Sequence, residues 1–109
     1  MTAKISGNTA FYNLLIVTPS KTVNFQAGTT TTVTNAFTID GQATGTRVDL
    51  NSDTPGTQWT INTPVAATDV YYVDVQDSVS SIASIISHYS IGNIQNNINC
   101  NLSICLFAL

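Results

Sequence analysis

One histidine, two cysteines and six aspartates are the side chains of this 109-residue chain best suited to chemistry. His88 sits among Ser, Ile and Tyr, and no nucleophile elbow or comparable local pattern supplies a serine or cysteine partner for it. It reads as a surface or lightly packed histidine. Asp49-Leu-Asn-Ser-Asp53 starts like a calcium loop, with oxygens at alternate positions, but Thr54 stands where the glycine belongs and Thr60 where the closing glutamate belongs. It reads as a strand end running into a turn. The other aspartates are scattered, mostly at turns, and form no paired-carboxylate site of the glycosidase kind. The chain is therefore expected not to be an enzyme, and neither a metal nor a cofactor is expected.

Trp59, Tyr71 and Tyr72 could form an aromatic platform for a sugar ring, or be core and interface anchors of a small β-domain. Cys100 and Cys105 are five positions apart. In an extended strand that is roughly 16 Å at ~3.3 Å per residue, with the side chains on opposite faces. Because a disulfide needs Cα atoms within about 7 Å, these two cannot bridge each other without a sharp bend. Each is a free buried thiol or a partner for a cysteine of another chain. Cys105, on the face of the Gln/Asn row, is the first candidate for an intersubunit bond and Cys100 the second.

These cysteines lie in the stretch that organises the rest, GNIQNNINCNLSICLFAL over 92–109. Ile94, Ile98, Cys100, Leu102, Ile104 and Leu106 share one parity; Gln95, Asn97, Asn99, Asn101 and Ser103 share the other, the period of a β-strand. From Ile104 both parities turn apolar, with Phe107 and Leu109 joining in, so the end of the strand needs cover on both faces. The predicted assembly strand is thus Ile98, Leu102, Ile104, Leu106, Phe107 and Leu109. Asn101-Leu-Ser103 fits a glycosylation sequon but falls within this strand and is set aside.

Only 8% of residues are charged, there is no glutamate, and the basic residues are Lys4, Lys21 and Arg47. A neutral Thr/Ser/Asn surface does little to keep molecules apart. The net charge of -3 argues against nucleic acid as a partner. No stretch approaches the ~20 apolar residues of a membrane helix. The amino terminus lacks the apolar run of a secretory signal, so synthesis in the cytosol is expected.

Strand signals run along the chain at Phe11–Thr18, Thr22–Phe25, Thr29–Ile39, Thr46–Asn51, Gln58–Asn62 and Asp69–Gln76. Asp40-Gly41 reads as a hairpin turn and 53–56 as a loop turn. Val48 and Leu50 are predicted inward, and Trp59 and Ile61 to share a face. In Asp69–Gln76, Tyr71, Val73 and Val75 should oppose Val70, Tyr72 and Asp74. Ser78–Tyr89 shows both helical and strand spacing and is read as strand. No internal repeat is visible. The sum is an all-β single domain, a jelly roll or β-sandwich of about eight strands over 11–109, preceded by a flexible arm over 1–10.

The terminal stretch Asn97-Ile-Asn-Cys-Asn-Leu-Ser-Ile-Cys-Leu-Phe-Ala-Leu109 resembles the endospore appendage subunits of spore-forming bacteria. That resemblance implies a small jelly roll that polymerises into pilus-like fibres by sheet augmentation. It also implies an amino-terminal connector reaching a neighbour, and intersubunit disulfides. Met1–Ala10 carries no cysteine, so covalent linkage through this arm is excluded. The function expected is a self-assembling structural subunit of an extracellular or spore-surface fibre, with other copies of itself as partner. A small carbohydrate-binding module, or a capsid or inclusion protein, is the alternative.

Overall fold

The computed structural model describes residues 2–63, 68–81 and 87–91. Among these residues ten strands are seen: β1 Thr2–Ile5, β2 Thr9–Ile16, β3 Thr22–Phe25, β4 Thr30–Asp40, β5 Val48–Ser52, β6 Trp59–Asn62, β7 Thr68–Tyr71, β8 Val73–Val75, β9 Ser78–Ser80 and β10 Ser87–His88. A short 3₁₀ turn, Thr44–Thr46, lies between β4 and β5. No helix among the described residues is long and apolar enough to cross a membrane.

The fold is all-β, as the Val/Ile/Thr-rich alternation demands, but every strand pair among the described residues is parallel. One sheet runs β1-β3-β5-β8; the other runs β10-β7-β4-β6-β9, with β2 also on β4. In the first sheet Thr2 faces Thr22, Thr22 faces Asp49, Asp49 faces Asp74 and Asp74 faces Ile91. The chain therefore winds as a solenoid, and that series of partners marks the start of each new coil. The first coil is β1–β2, the second β3–β4, the third β5–β7 and the fourth β8–β10. The antiparallel jelly roll or sandwich expected from the sequence is thus corrected. Alternation gives the period of a strand but not the direction of its neighbour, and coils of this length return each strand beside its predecessor in the same sense.

Two further expectations change with it. Residues 2–5 are no free arm: β1 pairs with β3 and sets Ala3 and Ile5 towards the interior. Asp40-Gly41 closes no hairpin, because β4 and β5 belong to different sheets. Asp40 Oδ1 accepts from the Gln42 N–H (2.8 Å), and Gln42 takes φ +77° at the corner. Gly41 is required there, since a Cβ would run into the Tyr72 carbonyl and stand 2.8 Å from Arg47 Cα.

Between Phe11/Asn13 and Val33/Ala36 the β2–β4 register slips by one residue, and Asn35 Nδ2 donates to Asn13 Oδ1 (2.7 Å) there. The partners of β4 on its other side divide: Thr30–Thr32 pair with β6, and Phe37–Asp40 pair with β7. The core fills the space between the sheets with Val23, Phe25, Val33, Phe37, Ile39, Val48, Leu50, Trp59, Ile61, Val70 and Val73. Val48 with Leu50, and Trp59 with Ile61, face inward as predicted. Tyr72 does not continue its strand. At φ +53° it breaks the alternation, so Val70 lies inward on one side of it and Val73 and Val75 on the other. Within Ser78–Tyr89, β9 and β10 are strand and Tyr89 turns away beyond β10 at φ +54°, with 82–86 outside the described residues.

Candidate functional site

A solenoid coil normally has a neighbour on each side; among the described residues the first coil has one on one side only. β1 is paired with β3 alone and β2 with β4 alone, so among the described residues each leaves one edge of backbone N–H and C=O groups open. The alternation that makes β1 and β2 strands also turns Ile5, Phe11 and Leu14 inward, where they pack against the core while staying partly exposed. The result is an apolar opening of about 350 Å³ lined by Ala3, Ile5, Phe11, Leu14, Ile16 and Val23, together with Leu15, Val17, Thr18 and Lys21. Among the described residues, Lys21 is the only charged one in that lining. On the outer side of β2, Tyr12 is 69% and Leu15 65% exposed. Natural sheet edges are commonly protected by lysine, proline or inward charge. Here Lys4, the lysine within these two strands, is held by Asp53 at 3.1 Å.

The coils are joined at one corner by a directional column of hydrogen bonds. Gly7 N–H donates to Gln26 Oε1 (2.7 Å), Ala27 N–H to Asp53 Oδ1 (2.8 Å), and Gly56 N–H to Asp77 Oδ2 (3.0 Å). Each time the turn of one coil donates and a side chain of the next coil accepts. Asp53 is held below the ordinary carboxylate pKa, first by the Ala27 N–H and then by Lys4. The calcium-like reading of Asp49–Asp53 thus finds both carboxylates at structural posts: Asp53 in this column, Asp49 beside the Thr22 hydroxyl. Sequence reasoning missed the column because its partners are a whole coil apart in the chain; the signal was an Asp or Gln following an inward-facing strand.

The aromatic platform is not assembled as expected. Trp59 is buried, stacked on Phe25 at 3.8 Å between ring centroids, and its Nε1–H donates to Gln76 O. The indole is a core anchor because the lumen between β3 and β6 needs a large flat filler. Tyr71 ends β7 and Tyr72 turns the corner after it, each stacked on the following coil: Tyr71 on His88 (4.7 Å) and Tyr72 on Tyr89 (5.0 Å). Tyr72 and Tyr89 occupy equivalent left-handed positions in successive coils, at φ +53° and +54°. Each tyrosine therefore turns one ring face to its neighbour in the next coil. Arg47 ties this corner together, donating from Nε to Tyr89 O and from Nη1 to Thr44 O.

Cys100, Cys105 and the assembly strand Ile98, Leu102, Ile104, Leu106, Phe107 and Leu109 lie outside the described residues. Comparison with known protein families, with curated proteins and with solved structures finds no match to this chain.

Proposed function

We propose that this chain is a self-assembling structural subunit that polymerises by adding strands to the open first coil. The observation that carries the reading is that coil: two strand edges unpaired on one side among the described residues, above an apolar floor of Ile5, Phe11 and Leu14. An added strand would satisfy the open backbone groups and cover that floor. Fully burying a side chain of this size contributes about 1.5–3 kcal/mol, so completing three half-buried ones adds a few kcal/mol before any hydrogen bond is counted. The low charge supports the same reading, since little repulsion opposes close approach of like molecules. Placement in a pilus-like fibre at a spore or cell surface follows from the resemblance of the 97–109 stretch.

Negative-stain microscopy and light scattering of the purified protein at micromolar concentration test the proposal. Ordered fibres, little changed by added salt because there are few charges to screen, are expected. A stable monomer across that range overturns it.

A further inference from the structure

We infer that assembly is head to tail, with residues 92–109 of one copy pairing in parallel along β1 and β2 of the next. This rests on the structural reading above and adds which two surfaces meet and in which sense.

Direction is the first support. In the corner column three turn N–H groups donate to a side chain of the following coil, Gly7 to Gln26, Ala27 to Asp53 and Gly56 to Asp77, while one bond, Thr30 N–H to Asn8 Oδ1, runs the other way. A stack built with such a direction has two unlike ends. Joining two first coils through a two-fold axis would pair β1 or β2 with its own copy antiparallel, whereas the ladders described here are all parallel. Joining the far end of one copy to the first coil of another continues both the parallel ladder and the donor order.

Position and length are the second support. Ile91 pairs with Asp74 at the end of the stack remote from β1, so the chain leaves the described fold at the far end. The segment 92–109 matches in length the last step of the register, from Asp74 to Ile91. It can form one more coil. The third support is chemical. The segment has no Asp, Glu, Lys, Arg or His, and Ile98, Cys100, Leu102 and Ile104 recur with strand alternation. It suits an opening whose lining holds the single charge of Lys21. Neither surface has to strip a buried charge of water to close.

The test uses the full chain and two variants. Leu14→Lys places an ammonium at the open coil, where a lone chain lets it reach water and a docked strand would seal it in. Leu102→Lys disables the donor segment. Each variant alone is expected to stay monomeric. Mixed in equal amounts, they should form heterodimers of twice the monomer mass that grow no further, because one supplies an intact 92–109 segment and the other an intact first coil. Size-exclusion chromatography with light scattering reads the mass, and the emission of buried Trp59 checks folding. Where a variant does not fold, Ile5→Lys replaces the first, and Asn99→Pro, which removes one ladder N–H, replaces the second.

Wild-type polymers with a mixture that remains monomeric overturn the head-to-tail inference and leave the structural reading standing. Dimers from Leu102→Lys but none from Leu14→Lys indicate contacts between first coils and also overturn it. A monomeric wild type overturns both. In that case, hydrogen exchange showing protected Thr9–Ile16 amides would mean that the segment closes on its own first coil.

Discussion

The first coil points Ile5, Phe11 and Leu14 inward yet leaves them partly exposed, whereas the fourth points Ser78, Ser80, Ser87 and Ser90 inward and buries them all. Hydrophobicity alone would predict the reverse. In the fourth coil β8 lies between β5 and the bridge at Ile91, while β9 and β10 each pair on one side among the described residues. Its serines suit the place for two reasons. The step from Asp74 to Ile91 is shorter than the one from Asp49 to Asp74, which narrows the lumen and favours small side chains. Their hydroxyls also replace backbone partners: Ser90 Oγ donates to His88 O (2.9 Å) and accepts from Val73 N–H (3.1 Å). The first coil has the reverse arrangement, an apolar interior with cover on one side, and that is why its open end is the surface with most to gain from a partner.

The contrast between covered and open coils is tested most severely where both neighbours are present. Trp59→Ala removes an indole stacked on Phe25 between covered coils, and should lower unfolding stability by about 3–5 kcal/mol in a denaturant titration. A loss below about 1 kcal/mol would mean that the third coil is no better sealed than the first. Phe11→Ala probes the other end. Because Phe11 is partly exposed, the same titration on the monomer should show a smaller loss, about 1–2 kcal/mol, while the tendency to polymerise drops sharply. A stability cost equal to that of Trp59→Ala would show that the first coil is already covered.

The corner column gives a pH-dependent test. Asp53 has its carboxyl pKa lowered in the folded state, so its contribution is present above the ordinary carboxylate value of about 4 and fades as the pH falls through the lower folded value. Asp53→Asn should therefore flatten the acid limb of the wild-type stability profile. An unchanged limb would mean that the Ala27 and Lys4 contacts do not hold the coils together. The smallest effect belongs to Leu15, on the outer side of β2 and 65% exposed. Leu15→Lys should change monomer stability by no more than about 0.5 kcal/mol. A larger loss would indicate a covered outer face.

Much of the strand pattern was legible in the residues themselves. Thr22–Phe25 is a strand with the predicted bounds, and Val48 with Leu50 and Trp59 with Ile61 point where their alternation said. The open coil was half legible: the apolar content of Phe11–Thr18 was plain, but not that its edge would lack a neighbour. Tyr71 and Tyr72 stood out as aromatics, yet their partners His88 and Tyr89 lie a coil further on and become neighbours only once that coil has closed.

Residue order alone sets the chemistry of each strand: β-branched and alternating, nearly uncharged, with one side chain in two turned inward. Those properties depend on neighbours one or two positions away, and the period of the backbone enforces them. The sense of pairing, the burial of Trp59, the column from Gly7 to Asp77 and the inequality of the two ends arise instead from the folded stack. Each depends on how much chain separates one strand from the next above it. That separation differs from coil to coil, longest from Thr22 to Asp49 and shortest from Asp74 to Ile91, so it leaves no repeat to read in the chain.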